Sequence, residues 1–140
     1  MQTFITDLDI STSMKNLDNK RLGKQRVEAL QIADCLLVRE SRWKNHPAVK
    51  MWRGYEDFLI LIYIKSAMDE WTRKGFKNEK CLEWWKSLLP RVRESEIGKP
   101  FWINENFVKA HRSNLIRKNA NFYKNKWPDI PDNLPYIWPV

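Results

Sequence analysis

The chain of 140 residues is poor in glycine, cysteine and histidine, with four, two and two residues of these types. Scarce glycine and the lack of any Gly/Ser-rich stretch leave no linker, so a single domain over residues 1–140 is predicted. Cys35 and Cys81 stand far apart, and only His46 and His111 accompany them. Neither a metal site nor a disulfide framework is therefore expected.

Long apolar runs are also missing from the sequence. The longest run, residues 58–64, is too short to cross a bilayer. The first residues have neither the basic start nor the apolar core of a signal peptide. These absences predict a cytoplasmic protein without a membrane partner.

Positive charge and tryptophan are both abundant. Lys and Arg total 25 against 17 acidic residues, which gives a formal net charge of +8. Such an excess favours a polyanionic partner, with DNA and RNA ahead of an acidic membrane surface, although a charge that serves only solubility is the alternative. Most of the eight tryptophans should fill the core. Trp52 and Trp102 are candidates for stacking on a base.

The spacing of apolar residues predicts an all-α fold of three to five helices. Residues 1–10 are interpreted as an extended arm, and one long helix is predicted from Met14 to about Glu40, weakened locally by Gly23. The remaining predictions are helices over 48–74, 79–89 and 104–118, a last turn or two at 119–126, a loop over 91–103, and an extended, Pro- and aromatic-rich tail over 128–140.

Polar side chains occupy the face of the first long helix that should contact the core. This set, the polar ladder, consists of Asp18, Arg21, Gln25 and Glu28. Spacings of three and four residues stack the ladder along one line of the helix. Either the ladder forms a satisfied internal network or it lines a cleft that holds a nucleotide. Lys24 and Arg26 flank the ladder and suit phosphate contacts, and both interpretations hold if the network orients one active carboxylate.

A second group of cations and amides lies on the predicted helix near the C-terminus. The candidates for DNA contact there are His111, Arg112, Asn114, Arg117 and Lys118. Cations suit phosphates, and amides can orient a nucleotide. The alternative is a solvated helix end whose cations are favoured by the helix dipole. The aromatic residues that follow, Phe122, Tyr123 and Trp127, are interpreted mainly as core.

Several segments resemble the pyrimidine-dimer DNA glycosylases of the phage endonuclease V type. The similar segments are residues 17–27 with Arg26-Val27 (the family's first long helix), Glu70 to Phe76 (the end of its central helix), and Ala110 to Tyr123 (its last helix and aromatic segment). Residues 17–31 and the closing residues 134–139 are also similar to a bacterial branch of relatives. The resemblance implies an all-α fold and DNA repair without a cofactor.

In that family the N-terminal α-amine attacks the sugar C1′ and forms a Schiff base, a glutamate of the first helix assists, and β-elimination cleaves the strand. An α-amine suits this task because its pKa lies near neutrality. Here the amine would belong to Met1, because a residue as bulky as Gln2 should leave Met1 in place. The family's glutamate falls on Gly23 in an ungapped match, so Glu28 is the candidate carboxylate.

The sequence therefore predicts a monomeric DNA glycosylase, with or without AP-lyase activity, that acts on double-stranded DNA containing a damaged or modified pyrimidine. The catalytic candidates are Met1 and Glu28. The candidates for binding DNA are Asp18, Arg21, Lys24, Gln25, Arg26, His111, Arg112, Asn114, Arg117 and Lys118. Two alternatives stay open: a non-catalytic nucleic-acid-binding module that retains the fold, and a protein-interaction domain with a Trp-rich surface.

Overall fold

A computed structural model describes residues 1–92 and 97–140, and within these ranges it contains helices and no strand. The helices are α1 (Ile10–Lys15), α2 (Asn19–Leu37), α3 (Pro47–Lys50), α4 (Glu56–Phe58), α5 (Lys65–Arg73), α6 (Glu79–Leu88), α7 (Glu105–Lys118) and α8 (Ala120–Tyr123). A π-helical segment, Leu59–Ile64, joins α4 to α5, and a 3-10 turn, Leu89–Arg91, follows α6. The all-α class is confirmed, with more helical segments than the three to five expected.

The long helix α2 begins later than the sequence predicts. The prediction of one helix from Met14 to about Glu40 was wrong at its start, because the chain leaves α1 after Lys15 and turns before α2. Asp18 has extended backbone and is the N-cap residue of α2. The turn lets Met14 and Leu17 both enter the core, where neither side chain is exposed.

The predicted helix over residues 48–74 is interrupted. His46 caps α3 by accepting the Ala48 N–H at Nδ1, at 3.0 Å. The chain then turns through Gly54, whose φ of 90° lies in the left-handed region that glycine adopts most easily. The π-helical segment follows, and it accommodates one more residue per hydrogen-bonded turn than an α-helix. This segment carries Tyr63, which is fully buried against the N-terminal arm.

The later predictions fit the structure more closely. Helices α6, α7 and α8 correspond to the segments predicted at 79–89, 104–118 and 119–126, and the tail after α8 contains no helix. Asn104 caps α7 by accepting the Phe107 N–H at 3.0 Å. Of the loop predicted at 91–103, residues 93–96 lie outside the described residues. No helix within the described ranges is long and apolar enough to cross a membrane.

The core lies between α2, the π-helical segment, α5 and α6. Trp52 and Trp102 belong to it, with 0% and 3% of their surface exposed, and their rings meet edge to face at 4.9 Å. The hypothesis that either ring stacks on a base was therefore wrong, because both faces are packed inside the protein. Tyr123 and Trp127 are also buried, as predicted, and their rings stack at 5.4 Å, whereas Phe122, interpreted with them as core, is 39% exposed.

Candidate active site

The N-terminal arm is held by side chains from three helices. Residues 2–6 are buried and belong to no helix or strand, so their amide groups need acceptors from elsewhere in the protein. Four of the acceptors come from elsewhere in the chain: Glu28 Oε2 for Gln2 N at 3.2 Å, Gln25 Oε1 for Phe4 N at 2.8 Å, His111 Nδ1 for Ile5 N at 2.9 Å, and Ser13 Oγ for Thr6 N at 2.8 Å. These bonds set the position of the chain's first residue.

Gln25 is the buried centre of the polar ladder. Its side chain is completely enclosed, and its Oε1 also accepts from the Tyr63 hydroxyl at 2.6 Å. Burial, and secondarily the negative charge of Glu28, raise the pKa of Tyr63 well above its ordinary value, so the hydroxyl stays a proton donor. The internal-network interpretation therefore describes Gln25, which holds the arm and cannot reach a nucleotide in this structure.

The candidates on α7 lie on two different sides of that helix. His111 and Asn114 are buried, and the imidazole supports the arm, whereas Arg117 and Lys118 are exposed. The Arg112 guanidinium is partly buried and donates to the Thr6 carbonyl oxygen at 2.7 Å. The structure thus places His111 and Asn114 inside the protein, away from any surface that a DNA backbone can reach.

His111 should make the protein sensitive to acid. Burial lowers the pKa of His111 to about 3, below the ordinary value of 6.5, because the enclosed imidazole cannot be hydrated when charged. The folded protein with neutral His111 therefore has its full stability above pH 6.5. Its free energy of unfolding decreases as the pH falls from 6.5 toward 3. We expect the free energy of unfolding to fall by up to about 1.4 kcal/mol per pH unit in this window.

Urea unfolding at a series of pH values between 7 and 4 measures this slope. His111→Asn keeps an acceptor near Nδ1 and cannot titrate, so its slope in the same window should be clearly smaller. Equal slopes for the two proteins would show that other groups cause the acid sensitivity.

A cleft of about 170 Å³ lies where the arm begins. Its lining residues are Met1, Gln2, Phe4, Arg21, Glu28, Lys118, Tyr136 and Trp138. Covalent geometry puts the Met1 α-amine within about 3.7 Å of the Gln2 amide nitrogen that Glu28 holds. The cleft therefore combines the first amine, one carboxylate and two further cations, and a phosphate-bearing ligand would meet a net positive charge there.

Arg21 and Glu28 are the ladder residues that reach this cleft. The Arg21 guanidinium lies 5.5 Å from the Phe4 ring centroid, which keeps the charge beside the arm. Asp18 is instead engaged with Tyr123, whose hydroxyl donates to Asp18 Oδ1 and accepts the Asp18 N–H. The two interpretations of the ladder thus coexist: Asp18 and Gln25 are structural, whereas Arg21 and Glu28 face the cleft.

The C-terminal tail forms an aromatic wall of the cleft. The Tyr136 and Trp138 rings stack at 5.7 Å, and Trp138 also contacts the His46 ring at 6.0 Å. Burial, and secondarily the positive charge of the first amine, lower the pKa of His46. Arg117 holds the tail in place through the carbonyl oxygens of Asp132 and Leu134, at 2.7 and 2.9 Å. Arg117 therefore positions the tail in this structure.

An open groove with two lysines adjoins the cleft on the outer face of α2. It measures about 460 Å³ and is lined by Lys20, Gly23, Lys24, Val27, Glu28 and Gln31. Glu28 borders both the groove and the cleft. A polyanion bound in the groove along Lys20 and Lys24 would therefore pass Glu28 on its way into the cleft and to the Met1 amine.

Arg26 is occupied by contacts within the protein. Its Nη1 donates to Asn78 Oδ1 at 2.5 Å, and its guanidinium lies 4.2 Å from the Trp71 ring centroid. The same indole leaves little room for a side chain at position 23, because a Cβ on Gly23 would come within 3.1 Å of it. The carboxylate that contacts the arm in this structure is that of Glu28.

Gly23→Ala should destabilise the protein although alanine is the better helix former. The Trp71 ring is stacked on Phe76 at 4.3 Å and donates to the Lys77 carbonyl oxygen at 2.8 Å, so it has little freedom to move. Overpacking costs about 1–3 kcal/mol, against a propensity gain of about 1 kcal/mol. We expect a net loss of about 1 kcal/mol in urea unfolding. Gly98→Ala is the control, since a Cβ at Gly98 meets nothing within 4 Å.

A larger hollow of about 720 Å³ lies between the end of α5 and the start of α6, lined by Met68, Phe76 and Leu82 among others. It contains neither the arm nor a ladder residue, so it lacks the chemistry gathered at the smaller cleft. In the described parts of the chain no group of three or more His, Cys, Asp or Glu is arranged to hold a metal ion.

Sequence reasoning missed Gln2, Phe4, Tyr136 and Trp138 as lining residues of the site. The sequence predicts an extended tail rich in aromatic residues, but nothing in their spacing indicates which surface they cover. The polar ladder was a real signal, because buried polar side chains need partners. The need for partners could have indicated that the ladder contacts the arm, because the arm's N–H groups donate to Gln25 and Glu28.

The fold and the site define an all-α protein with a cationic cleft built around an amine and a carboxylate. The chain matches the family model described as pyrimidine dimer DNA glycosylase over residues 1–84, more than half of its length. The protein belongs to this family. The match contains the arm, Arg21 and Glu28, while Lys118, Tyr136 and Trp138 lie beyond it. No curated protein and no solved structure matched the chain.

Proposed function

We propose that this protein is a DNA glycosylase that excises a damaged or modified pyrimidine, with the α-amine of Met1 as nucleophile and Glu28 as the group that moves protons. One observation carries the proposal: the residue bearing the amine, the Glu28 carboxylate and the Arg21 cation line the same cleft. The Glu28 bond to the Gln2 amide, at 3.2 Å, ties the carboxylate to the start of the arm. Family membership supplies the substrate class.

The reaction begins with attack by the amine. The nitrogen lone pair of Met1 forms a bond to C1′, the C1′–N1 bond breaks, and its electron pair leaves with the pyrimidine, which takes up a proton. The attached nitrogen loses a proton to the Glu28 carboxylate. That proton passes to O4′ as the C1′–O4′ bond opens, and a protonated Schiff base results. Proton transfer by a positioned carboxylate contributes about 10²–10⁴-fold to the rate of such steps.

Strand cleavage would follow from the same intermediate. Removal of a C2′ proton breaks the C3′–O3′ bond, and the 3′ phosphate leaves with the electron pair. Water then hydrolyses the Schiff base and restores the amine. Arg21, Lys118 and Lys24 would hold phosphates around the cleft, and the nucleotide would leave the base stack to reach the amine.

Borohydride trapping tests the proposal. The protein is incubated with duplexes carrying an abasic site, a thymine dimer or another modified pyrimidine, then reduced and analysed for covalent adducts and for broken glycosidic bonds. An adduct whose mass spectrum places the DNA on the Met1 nitrogen is expected. A Schiff base on a lysine, or no adduct with any duplex, would contradict the proposal.

A non-catalytic DNA-binding protein is the second candidate. The observation that favours it is Gly23, which leaves no carboxylate at the position where the resemblance puts one. This candidate predicts DNA binding that weakens steeply with salt, together with no adduct and no released base.

A further inference from the structure

A second groove adjoins the open groove on α2. It measures about 540 Å³ and is lined by Arg26, Val27, Lys77, Asn78, Glu79, Lys80, Cys81 and Trp84. Val27 borders both grooves, as Glu28 borders the open groove and the cleft. The cleft, the open groove and the second groove therefore follow one another across α2, from the start of the arm to the beginning of α6.

Four lysines of the two grooves have ammonium groups that nothing in the described chain occupies. Lys20 and Lys24 line the open groove, and Lys77 and Lys80 line the second groove. All four side chains are exposed, and none of their Nζ atoms forms a hydrogen bond or ion pair with another residue that the structure describes. Together they are called the lysine path. Such ammonium groups can bind phosphates without first giving up a contact within the protein.

The remaining charged residues leave both grooves positive. In the second groove, the Arg26 guanidinium is held in place by its bond to Asn78 and its stack on Trp71. Glu79 is the acidic residue of that groove, against three cations. In the open groove, Glu28 stands against two lysines. A DNA backbone would therefore meet a net positive charge along both grooves.

The arginines of α7 are engaged within the protein. Arg112 donates to the Thr6 carbonyl oxygen, and Arg117 donates to two carbonyl oxygens of the tail. Of the α7 cations, Lys118 is the one that lines the cleft. A polyanion that leaves the cleft therefore meets more free cations over α2 than along α7.

We propose that the DNA backbone on one side of the attacked nucleotide runs from the cleft along the lysine path to the beginning of α6. The inference rests on the proposed function, which puts the attacked nucleotide beside the Met1 amine. Contacts to phosphates fix the position of a duplex and carry no sequence information. The lysine path therefore binds flanking DNA of any sequence, and it adds Lys77 and Lys80 to the DNA-binding residues.

Two duplexes test the direction of the path. Each carries a stable abasic analogue that lacks the C1′ oxygen and cannot form a Schiff base, and the DNA extends only 5′ of the analogue in one duplex and only 3′ in the other. Lys77→Gln/Lys80→Gln should bind one duplex about 10-fold more weakly and the other almost unchanged, because two phosphate contacts are lost on one side only. On the affected duplex, the slope of log affinity against log salt should become shallower by about 1.8, at about 0.9 for each contact. Fluorescence anisotropy measures both quantities.

Lys50→Gln/Lys124→Gln is the matched control, since both lysines are exposed and line neither groove nor the cleft. It removes the same charge and should change each affinity by less than about threefold, because exposed charges far from the DNA are screened by salt. Equal losses on the two duplexes, or losses no larger than those of the control, overturn the inference. Unmodified protein that fails to trap a true abasic duplex contradicts the proposed function instead, since binding to the analogue involves no reaction.

Discussion

Glu28→Gln should reduce covalent trapping with abasic DNA by at least about 100-fold, the lower end of what a positioned general acid–base contributes. The carboxylate is the only acidic side chain that lines the cleft in the part of the chain that the structure describes. Glutamine has the same size and retains an oxygen that can accept the Gln2 N–H. The arm should therefore stay in place while the proton transfers are lost. The rate of adduct formation in a borohydride time course measures the effect.

The matched control is Glu83→Gln, the same change at an exposed position of α6. It should leave the trapping rate within about twofold of the unmodified protein, because it lies outside the cleft. Thermal unfolding of both variants shows whether the fold is kept. A Glu28→Gln protein that is folded and traps DNA at the unmodified rate would remove Glu28 from the mechanism.

An extension of two residues ahead of Met1 should abolish trapping just as strongly. Two extended residues move the amine by about 7 Å, beyond the reach of a C1′ atom held in the cleft. Well-oriented neighbouring groups react with effective concentrations of about 10⁵–10⁸ M, so losing that geometry costs several orders of magnitude in rate. We expect trapping at least about 100-fold slower and DNA affinity changed by less than about threefold, measured by anisotropy.

A protease that cuts directly before Met1 provides the control for this extension. Removing the added residues should restore trapping to the rate of the unextended protein. If the extended protein traps abasic DNA at full rate, the nucleophile is a side chain rather than the α-amine, and Lys118, which lines the cleft, is the candidate.

The two results together would distinguish chemistry from support of the arm. Gln25, His111 and Tyr63 hold the arm from inside the protein, so substitutions there change stability and trapping together. Glu28 and the amine lie at the cleft, where activity can be lost while stability is kept. Substitution of a residue that only supports the arm should therefore lower both stability and trapping, whereas substitution of a residue that reacts should lower trapping alone.

The helices that follow strong local signals could be predicted from the sequence. Asn104 caps α7 where its position before an apolar, helix-forming stretch indicates, and Pro128 begins a tail without helix. The break before α2 could not be predicted, since residues 16–18 contain neither proline nor glycine. Burial of Met14 and Leu17 decides that turn, and burial depends on which elements pack there.

The candidate site shows the same division. The ladder's spacing indicated that Arg21 and Glu28 share one line of a helix, but the same spacing includes Gln25, which is sealed under the arm. Arg112 and Arg117 have the composition of a DNA-binding surface and yet donate to carbonyl oxygens of the arm and the tail. A cation's partner depends on which backbone oxygens lie nearby, and the sequence does not reveal that.

The sequence alone determined the all-α class, the excess of positive charge and the line of polar side chains on α2, because helical periodicity and composition are local properties. Tertiary structure alone decided which of those side chains are buried and which face a ligand. The reason is that the arm and the tail reach α2 from the two ends of the chain, so the cleft exists only after distant segments have packed together.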